Sequence, residues 1–420
     1  MSGIAAEATS QLLTTVLPWW LAHGLDREHG GVFTGFSNTG RLLSSEKYTW
    51  SQGRWAWLCS RLALDSGAGI IDENPKLWSQ LAVETARFIQ THTLVDGRAT
   101  AYRTTACGYP LPSGPQGEVA VSVLADLFAA LGLAGAARLP DVDDVERATW
   151  LESSHALLAH AERRIQARSA PSEPYPVRPG FTDAAGLMLL LNVGVQLHLA
   201  SCSGQSADIA ASALSQLFGN DPAESMWRQG SWWEFRPDNA KDADTLLARH
   251  RTPGHLLEML WMVLEAADIL PDAPAVPDWL PDLAIQALEI GWDKEHGGIF
   301  RYVDSVGGEP SGRLFGGDRY ETLVTETWST KLWWVQVEAL YATALLAERF
   351  DRSDLRAWNK RIWSYTLAVF PDPEGQEWLQ IRDRRGFPLD KVVALPVKDP
   401  FHIARSLLMT TELEYRRIQS

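Results

Sequence analysis

Residues 24–40 read GLDREHGGVFTGFSNTG, and residues 291–307 read GWDKEHGGIFRYVDSVG. In both stretches an apolar helical pattern ends, and a double glycine precedes a short alternating stretch typical of a β-strand. The same helix-exit hairpin is therefore built twice, as in toroidal stacks of helical hairpins, where the loops at one end repeat. Because His29 and His296 occupy the same place in the two copies, we predict that they stabilise turns rather than act in catalysis.

Apolar residues recur at three- and four-residue spacing along nearly the whole chain, which predicts about a dozen helices. Prolines and glycines fall between these segments, and no stretch has the composition of a disordered linker. We therefore predict an all-α fold that forms a single domain over residues 1–420. The predicted helices cover residues 7–22, 52–65, 78–92, 119–134, 147–167, 183–200, 208–217, 255–270, 278–291, 330–349, 353–369 and 400–417.

The overall composition argues against some classes of partner. The 420 residues are 45% hydrophobic and 21% charged, with a formal net charge of −14. A nucleic-acid-binding protein normally needs a basic face, so no nucleic-acid partner is expected. Because the sequence shows neither a basic leader nor eighteen consecutive apolar residues, we expect a cytoplasmic protein with no membrane partner. The oligomeric state stays open, a homodimer included.

Several cofactor chemistries lack their sequence signals. The three cysteines do not have the spacing of metal ligands and cannot all pair, which favours reduced thiols. We find no H-E-x-x-H motif, no glycine-rich phosphate-binding loop and no G-x-S-x-G nucleophile turn. We therefore predict that the protein uses no metal and no other cofactor.

Tryptophan is unusually frequent, with 19 tryptophans against nine tyrosines. The C–H faces of a pyranose stack on flat aromatic rings, so sugar-binding clefts are often lined by them. Large helical cores also contain tryptophan as a packing residue. The count favours a sugar-binding cleft without assigning any single tryptophan to it.

The first segment with chemical potential is YTWSQGRWAW at residues 48–57. In a helix, Trp50, Arg54 and Trp57 would share one face. A guanidinium on a face that should be buried is costly unless a partner satisfies it. Its fork of donors can hold an oxyanion or sugar hydroxyl groups, or it can form a buried structural salt bridge. Both interpretations stay open.

The second segment is RTPGHLLEMLW at residues 251–261. The Pro-Gly pair predicts a helix start, which puts His255 in the first turn. Glu258 follows three residues later on the same face and can accept a hydrogen bond from the imidazole. A carboxylate that fixes the tautomer of a histidine and raises its basicity is the arrangement that a general acid–base needs.

Two further segments complete the candidate set. PFHIARSLL at residues 400–408 again starts a helix with a histidine, His402. A lone histidine on an apolar face is more often a core residue, but its pairing with His255 favours catalysis. KLWWVQVEAL at residues 331–340 carries Trp334 and, at helical spacing, Glu338. This pattern indicates a cleft wall, with core packing as the alternative.

Together these segments resemble the N-acylglucosamine 2-epimerase family, which includes renin-binding protein, cellobiose 2-epimerase and mannose isomerase. The resemblance covers most of the chain. It rests, in chain order, on KYTWSQGRWAW, TPGHLLE, KLWWVQVEAL, FPDPEGQEWLQIRDRRG and FHIARSLL. It implies an (α/α)6 barrel of twelve helices, in agreement with the helix count, with the active site at the end where the longer loops gather.

The resemblance also implies roles for individual residues. His255 and His402 match the two catalytic histidines of the family, and Glu258 matches the carboxylate paired with the first. Arg54 matches the arginine that steadies the reacting oxygen. Tyr102, from YRTTACGYP, is a further candidate for the pocket. The expected substrate-binding residues are Trp50, Tyr102, Trp334, Glu338 and Trp378.

Two segments bear on the substrate. The helix GLMLLLNVGVQLHLAS lacks the additional histidine expected in the mannose-isomerase and cellobiose-epimerase branches, since His198 lies well past the expected place. LDKVVALPVKDPFH lacks the Gly-Lys-Trp-Lys-Gly-like run of the acylglucosamine epimerase branch. We expect a monosaccharide substrate and interconversion of N-acyl-D-glucosamine with N-acyl-D-mannosamine. The alternatives are mannose–fructose isomerisation or mannose/glucose 2-epimerisation and, more distantly, an (α/α)6 glycoside hydrolase.

Overall fold

The structure, a computed structural model, describes residues 3–219, 225–228, 231–271, 276–374, 377–390 and 398–419. The first helix begins at Gly3 and continues to Gly24 through two π-helical stretches, Leu12–Val16 and Trp20–Gly24. A third π-helical stretch, Ile89–Thr93, extends α4. The helices are α1 Gly3–Gln11, α2 Leu17–Trp19, α3 Thr49–Gly67, α4 Pro75–Phe88, α5 Val123–Ala137, α6 Asp144–Gln166, α7 Ala184–Ser201, α8 Gly204–Phe218, α9 Leu246–Arg249, α10 Pro253–Ile269, α11 Leu280–Gly291, α12 Arg319–Thr327, α13 Trp333–Arg349, α14 Ser353–Val369 and α15 Phe401–Gln419.

Every predicted helix is present, with ends that differ by no more than a few residues. The agreement follows from the long, strongly periodic apolar patterns, which identify helices better than they define helix ends. The short helices α9 and α12 were not predicted, because four and nine residues are too few for a periodic pattern to emerge. The all-α prediction is thus confirmed for the residues that the structure describes.

The strands are short, with two or three residues each. Strand β3 leads directly into α3, β14 into α13, and β8 into α7. They form six antiparallel pairs or hairpins, β1–β2, β4–β5, β8–β11, β9–β10, β12–β13 and β14–β15, and one three-stranded sheet, β3–β6–β7. The strands are β1 Gly35–Phe36, β2 Leu42–Ser44, β3 Lys47–Tyr48, β4 Leu94–Val95, β5 Ala99–Thr100, β6 Arg103–Thr104, β7 Pro110–Leu111, β8 Phe181–Asp183, β9 Trp227–Arg228, β10 Ser231–Trp232, β11 Phe235–Pro237, β12 His250–Arg251, β13 Val303–Asp304, β14 Lys331–Leu332 and β15 Ile381–Arg382.

The chain folds into two compact units. Unit 1 comprises Met1–Pro174, Asn192–Ala210 and Val392–Ser420, and unit 2 comprises Tyr175–Leu191 and Ala211–Lys391. The single domain over residues 1–420 therefore stays a prediction. Each unit contains helix pairs with buried, largely apolar interfaces.

In unit 1, α3 packs on α4, α5 and α15, and α5 packs on α6. The crossing of α3 and α5 depends on Gly53 and Gly132. A Cβ on Gly53 would overlap the backbone carbonyl oxygen of Phe128, and a Cβ on Gly132 would lie 2.6 Å from the carbonyl oxygen of Gly53. Only glycine allows two helices to approach this closely. The crossing fixes α3, which carries Arg54.

In unit 2, α10 packs on α11 and α13, and α13 packs on α14. The largest fully buried side chain of α10 is Trp261. A separate apolar cluster surrounds the loops that precede α10 and includes Phe181, Phe235, Tyr302 and Tyr320. These contacts fix the first turn of α10, where His255 lies.

Helix α7 is apolar along most of its length. Among the helices in the described ranges it alone is long and apolar enough to cross a membrane by length and composition. Most of it is buried inside the protein, however, as expected of a core helix.

The first of the two repeated hairpins is held by Asp26. Its carboxylate accepts the backbone amide of His29 at 3.1 Å, and the ammonium group of Lys47 lies 2.7 Å away. Behind the turn, the amide group of Gln52 makes two hydrogen bonds to the backbone of Val32, at 2.9 and 2.8 Å. Lys47 and Gln52 lie at the start of α3, so the hairpin is anchored to that helix.

The second hairpin is built in the same way. The carboxylate of Asp293 accepts the backbone amide of His296 at 3.2 Å and contacts Nζ of Lys331 at 3.1 Å. Gln336 makes two hydrogen bonds to the backbone of Ile299, at 3.0 and 2.8 Å. Both histidines lie in turns, as predicted, but the stabilising side chains are the aspartates, lysines and glutamines.

Candidate active site

His255 lies in the first turn of α10, behind a proline at the helix start. Its ring is held by Glu234, whose Oε1 lies 2.7 Å from Nδ1 of the imidazole. Glu234 is only 1% exposed and directly precedes β11. Because an ionised carboxylate only accepts hydrogen bonds, Nδ1 carries the proton and Nε2 is the ring atom left for chemistry.

The prediction that Glu258 is the hydrogen-bond partner that fixes this histidine is wrong, because Glu234 holds Nδ1. Helical periodicity relates His255 only to residues of its own helix. Glu234 reaches it through the pairing of β11 with β8, a long-range contact that periodicity does not reveal. Glu258 is buried nearby, and its negative charge acts on His255 through space.

The environment of His255 favours its protonated form. Burial alone would lower the pKa of the imidazole, but the carboxylates of Glu234, Glu258 and Asp183 outweigh burial, so its pKa lies above the ordinary value. Burial would in turn raise the pKa of Glu234, yet the facing imidazole holds it below its usual range. The pair therefore behaves as an acid–base dyad with a buried carboxylate and a partly exposed imidazole.

Trp334 and Glu338, on α13, lie on the helix that packs against α10. The ring of Trp334 lies 5.0 Å from that of His255, at an interplanar angle of 32°. Gly254 makes room for the indole, because a Cβ there would lie 2.6 Å from it. Glu338 is fully buried and accepts a hydrogen bond from Nε1 of Trp261 at 2.9 Å. The structure thus brings both predicted residues to the His255 end of unit 2.

Trp378 is fully buried, and its ring lies 6.4 Å from that of Phe370. The segment that follows it, β15, pairs with β14 at the start of α13. Its position is that of a core residue, and its contact with a sugar stays a prediction.

Arg54, on α3, forms an ion pair with Asp399, with 2.5 Å between Nη1 and Oδ2. Its guanidinium carbon also lies 4.1 Å from the ring centroid of Phe128 and 5.2 Å from that of Trp50. The salt-bridge interpretation is therefore correct, and it does not exclude the other one, because a fixed guanidinium still has further donors. The ion pair positions the arginine.

Trp50 and Tyr102 lie together in unit 1. Their ring centroids are 6.2 Å apart in an edge-to-face arrangement, and Tyr48 packs on the other side of Tyr102 at 5.7 Å. Trp50 is half-buried, and Tyr102 is buried. Two of the predicted sugar-binding residues thus form one aromatic wall next to Arg54.

His402 lies in the first turn of α15 and is 7% exposed. Its Nδ1 is 3.4 Å from Nη2 of Arg405, and since a guanidinium only donates, Nδ1 serves as the acceptor. Asp399 accepts the backbone amide of Phe401 at 2.8 Å, so the carboxylate that holds Arg54 also caps α15. This shared aspartate ties Arg54 to the helix of His402.

The two units contain the same two spaced sequence motifs. The last position of each motif is an arginine in unit 1 and a glutamate in unit 2. Lys-x-x-Trp-x-Gln-x-Arg at residues 47–54 corresponds to Lys-x-x-Trp-x-Gln-x-Glu at residues 331–338. Likewise Asp-Pro-x-His-x-x-Arg at residues 399–405 corresponds to Thr-Pro-x-His-x-x-Glu at residues 252–258. Arg54 and Arg405 thus stand where the other unit has Glu338 and Glu258. This repeat is the sequence signal that would have identified Lys47, Gln52, Lys331 and Gln336.

Sequence comparison identifies one family. The sequence model of the family described as N-acylglucosamine 2-epimerase (GlcNAc 2-epimerase) matches residues 198–406. The N-acylglucosamine 2-epimerase of Bos taurus is 26% identical over 415 residues, which cover 97% of this chain and 90% of that protein.

Solved structures show the fold. Cellobiose 2-epimerase from Bacillus thermoamylovorans B4167 is similar with a TM-score of 0.74 at 17% identity, over 98% of this chain and 100% of that one. A D-mannose isomerase is similar with a TM-score of 0.73 at 15% identity, over 98% of this chain and 99% of that one. The predicted (α/α)6 barrel is confirmed. Residues 198–406 thus match the N-acylglucosamine 2-epimerase family, the chain is similar to a member of that family over nearly its full length, and it is an isomerase.

Proposed function

We propose that the protein interconverts N-acyl-D-glucosamine and N-acyl-D-mannosamine by moving the proton at C2. The observation that carries this proposal is the His255–Glu234 dyad at a helix start. A second helix-start histidine, His402, occupies the same position in the corresponding Pro-x-His motif. The mammalian relatives, matched over nearly the full chain, are named for this reaction.

The reaction begins with an open-chain sugar, because only the free carbonyl makes the neighbouring C2–H acidic. An imidazole removes the C2 proton, and the electron pair of the C–H bond forms an enolate with the C1 carbonyl oxygen. Nε2 of His255 is suited to this exchange, since Nδ1 is bound to Glu234. A positioned general acid–base contributes roughly 10²–10⁴-fold in rate.

Arg54 is assigned to the developing enolate oxygen. Its ion pair with Asp399 and its stacking on Phe128 hold the guanidinium before the substrate arrives. Hydrogen-bond donors that are already in position stabilise the charge that develops in the transition state. This stabilisation is usually the largest single contribution to the rate of such reactions. The aromatic wall of Trp50 and Tyr102 supplies surface for the sugar ring or chain.

His402 is assigned as the second proton-transferring group. If it returns a proton to the opposite face of C2, the product is the 2-epimer. If a proton returns to C1 instead, the product is a ketose, which is the mannose–fructose alternative. Ketose formation requires a hydroxyl group at C2, as in mannose, whereas the N-acylated sugars can only be protonated again at C2. Both reactions begin with the same removal of the C2 proton.

A substrate panel in D₂O tests the proposal. N-acetylglucosamine, N-acetylmannosamine, mannose and fructose are each incubated with the enzyme, and the products are followed by NMR. We expect deuterium at C2 and the appearance of the epimer with the two N-acetylated sugars. Conversion of mannose to fructose without action on the N-acetylated sugars would establish the alternative, and cleavage of a glycoside without exchange would indicate hydrolysis.

We also propose a cytoplasmic location. The formal net charge is −14, and all three cysteines are free thiols. Free thiols are typical of reducing compartments. Cell fractionation followed by immunoblotting tests this, with recovery in the soluble cytoplasmic fraction as the expected result and recovery in a membrane or secreted fraction as the contrary one.

A further inference from the structure

Arg301 is a buried cation in unit 2, two residues before β13. The residue is 4% exposed, and its Nη1 is buried without a hydrogen-bond acceptor. Its backbone amide donates to the carbonyl of Thr330 at 3.0 Å, which fixes the chain at this point. The guanidinium carbon lies 4.8 Å from the ring centroid of Tyr302. No carboxylate in the described part of the chain forms an ion pair with it.

Two buried acidic residues of the neighbouring segments, Asp304 and Glu321, have other partners. Asp304 accepts hydrogen bonds from Arg249 at 2.7 Å and 3.1 Å. Glu321 accepts the backbone amide of Phe315 at 2.9 Å. A buried charge is strongly unfavourable without a partner of opposite charge. The buried guanidinium of Arg301 therefore has no anionic partner among the described residues.

Two buried tyrosines complete the surroundings. The rings of Tyr302 and Tyr320 are 6.2 Å apart, and that of Tyr175 is 6.2 Å from Tyr320. Burial raises the pKa of Tyr302 to about 12, and it also raises the pKa of Tyr320 well above its ordinary value. Both phenols therefore stay protonated at neutral pH. The hydroxyl group of Tyr320 is hydrogen-bonded to Tyr302, whose oxygen also accepts from Arg301, so the hydroxyl proton of Tyr302 is the one left for a further acceptor.

This cluster borders the catalytic end of α10. Strand β13 pairs with β12, with His250 opposite Asp304 and Arg251 opposite Val303. The chain enters α10 immediately after β12, and His255 lies in the first turn. The ring of His250 packs against both tyrosines, at 5.9 Å from Tyr302 and 5.4 Å from Tyr320. A ligand at Arg301 would thus lie at the same end of unit 2 as His255.

We propose that Arg301, together with the hydroxyl group of Tyr302, binds an oxyanion such as a phosphate or carboxylate group. The planar guanidinium presents parallel N–H donors that match two oxygens of such a group, and the neutral phenol of Tyr302 adds a donor without adding charge. The anion supplies the negative charge that the protein itself does not supply here. Such a site takes either a free anion or the anionic substituent of a larger ligand.

Thermal unfolding with added anions tests the proposal on the intact protein. Inorganic phosphate and acetate are titrated separately, with sodium chloride holding the ionic strength constant. We expect a saturable rise in Tm with at least one of the two anions, because a ligand that binds only the folded state stabilises it. Which anion acts distinguishes a phosphate site from a carboxylate site.

Arg301→Met is the decisive variant, and Arg356→Met, at an exposed arginine paired with Asp351, is its matched control. We expect Arg301→Met to lose the anion-dependent rise, and without anion to be at least as stable as the wild type, because it removes an uncompensated charge. The control should keep the full rise. Since this readout does not use catalysis, its failure leaves the proposed epimerisation intact.

Three outcomes would overturn the site. They are a wild type whose Tm does not respond to either anion, an Arg301→Met protein that responds like the wild type, and an Arg301→Met protein that is clearly less stable without anion. The last outcome would assign Arg301 to cation–π packing on Tyr302. If Arg301→Met does not fold, the double variant Tyr302→Phe/Tyr320→Phe replaces it, with severalfold weaker anion binding expected and unchanged binding as the contrary result.

Discussion

Nδ1 of His255 donates a hydrogen bond to Glu234 across 2.7 Å, although 21 residues separate the two in the chain. The contact fixes the ring orientation and leaves Nε2 for proton transfer. It also keeps a carboxylate buried in its charged form, since the facing imidazole holds the pKa of Glu234 below its usual range. The dyad thus orients the imidazole of the proposed base and places a negative charge beside it.

Glu234→Gln should lower the pKa of His255, because the amide keeps a hydrogen-bond acceptor and loses the charge. In the wild type the carboxylates raise the pKa of His255 against the effect of burial, so without Glu234 burial pulls it downward. The limb of the pH–rate profile that reports His255 should move to lower pH, with a loss in kcat of roughly 10²-fold. Epimerisation rates between pH 5 and 9 measure both effects.

Glu258→Gln is the comparison variant. Glu258 contributes charge near His255, but Glu234 makes the hydrogen bond to Nδ1. We expect a smaller shift of the profile and a smaller loss of rate. A profile that moves with Glu258→Gln and not with Glu234→Gln would show that the dyad is misassigned.

Arg54→Lys should lower kcat by roughly 10²-fold or more with little change in KM, as expected for a donor whose interaction strengthens in the transition state. Lysine keeps the positive charge but loses the fork that contacts Asp399. Arg61→Lys, seven residues later on the same helix and paired with Glu412, is the matched control and should keep its kcat. Equal effects of the two substitutions on kcat would remove Arg54 from the reaction.

Lys47→Met should destabilise the fold more than Lys331→Met. Both lysines are fully buried and paired with an aspartate. Without Lys47, buried Asp26 loses its close ammonium partner and keeps only the imidazole of His29, 3.5 Å away, among its ion-pair contacts in the described residues, at a cost of roughly 3 kcal/mol. Asp293 keeps Arg384, whose Nε lies 3.0 Å away, after Lys331 is replaced. Urea unfolding of the two variants measures the difference, and an equal or reversed order would contradict this explanation.

Asp65→Asn should stabilise the protein near neutral pH. Burial and the neighbouring carboxylate of Glu412 raise the pKa of Asp65 to about 8, while Arg61 makes its shorter contact, 2.5 Å, with Glu412. An unfolded aspartate loses its proton near pH 4, so folding binds a proton and stability falls as the pH rises from about 4 to about 8. Asparagine removes this penalty and keeps a donor for Glu412.

Chemical unfolding at pH 4.5 and pH 7.5 measures this effect. The gain in unfolding free energy should be roughly 2 kcal/mol at pH 7.5 and should shrink at pH 4.5. Asp268→Asn, at an exposed pair with Arg349, is the control and should change stability by less than about 0.5 kcal/mol at either pH. A gain that does not depend on pH would mean that Asp65 is ionised in the folded protein.

The sequence was sufficient for the helices and for the helix-start histidines. Long periodic apolar segments specify helices directly, and a proline ahead of His255 specifies its place in the first turn. Such local signals depend on residues that are neighbours in the chain. For the same reason they placed Trp334 and Glu338 on one helix that packs against α10.

The partners of these residues could not be predicted in the same way. Glu234 reaches His255 through a strand pair, and Asp399 reaches Arg54 from 345 residues away. A single sequence contains no periodic trace of such contacts, because they arise from tertiary packing. The repeated Lys-x-x-Trp-x-Gln motif can be recognised in the sequence. Its role in anchoring the two hairpins is evident only from the paired hydrogen bonds of Gln52 and Gln336.

Deuterium exchange at C2 by the single-histidine variants tests the central claim most directly. With His255→Ala and His402→Ala, we predict that epimerisation is lost, and that each variant still exchanges the C2 proton of one N-acetylated epimer, a different one for each. This pattern arises only if each remaining imidazole serves one face of C2. Near-normal epimerisation by either variant, measured by NMR in D₂O, would contradict the account.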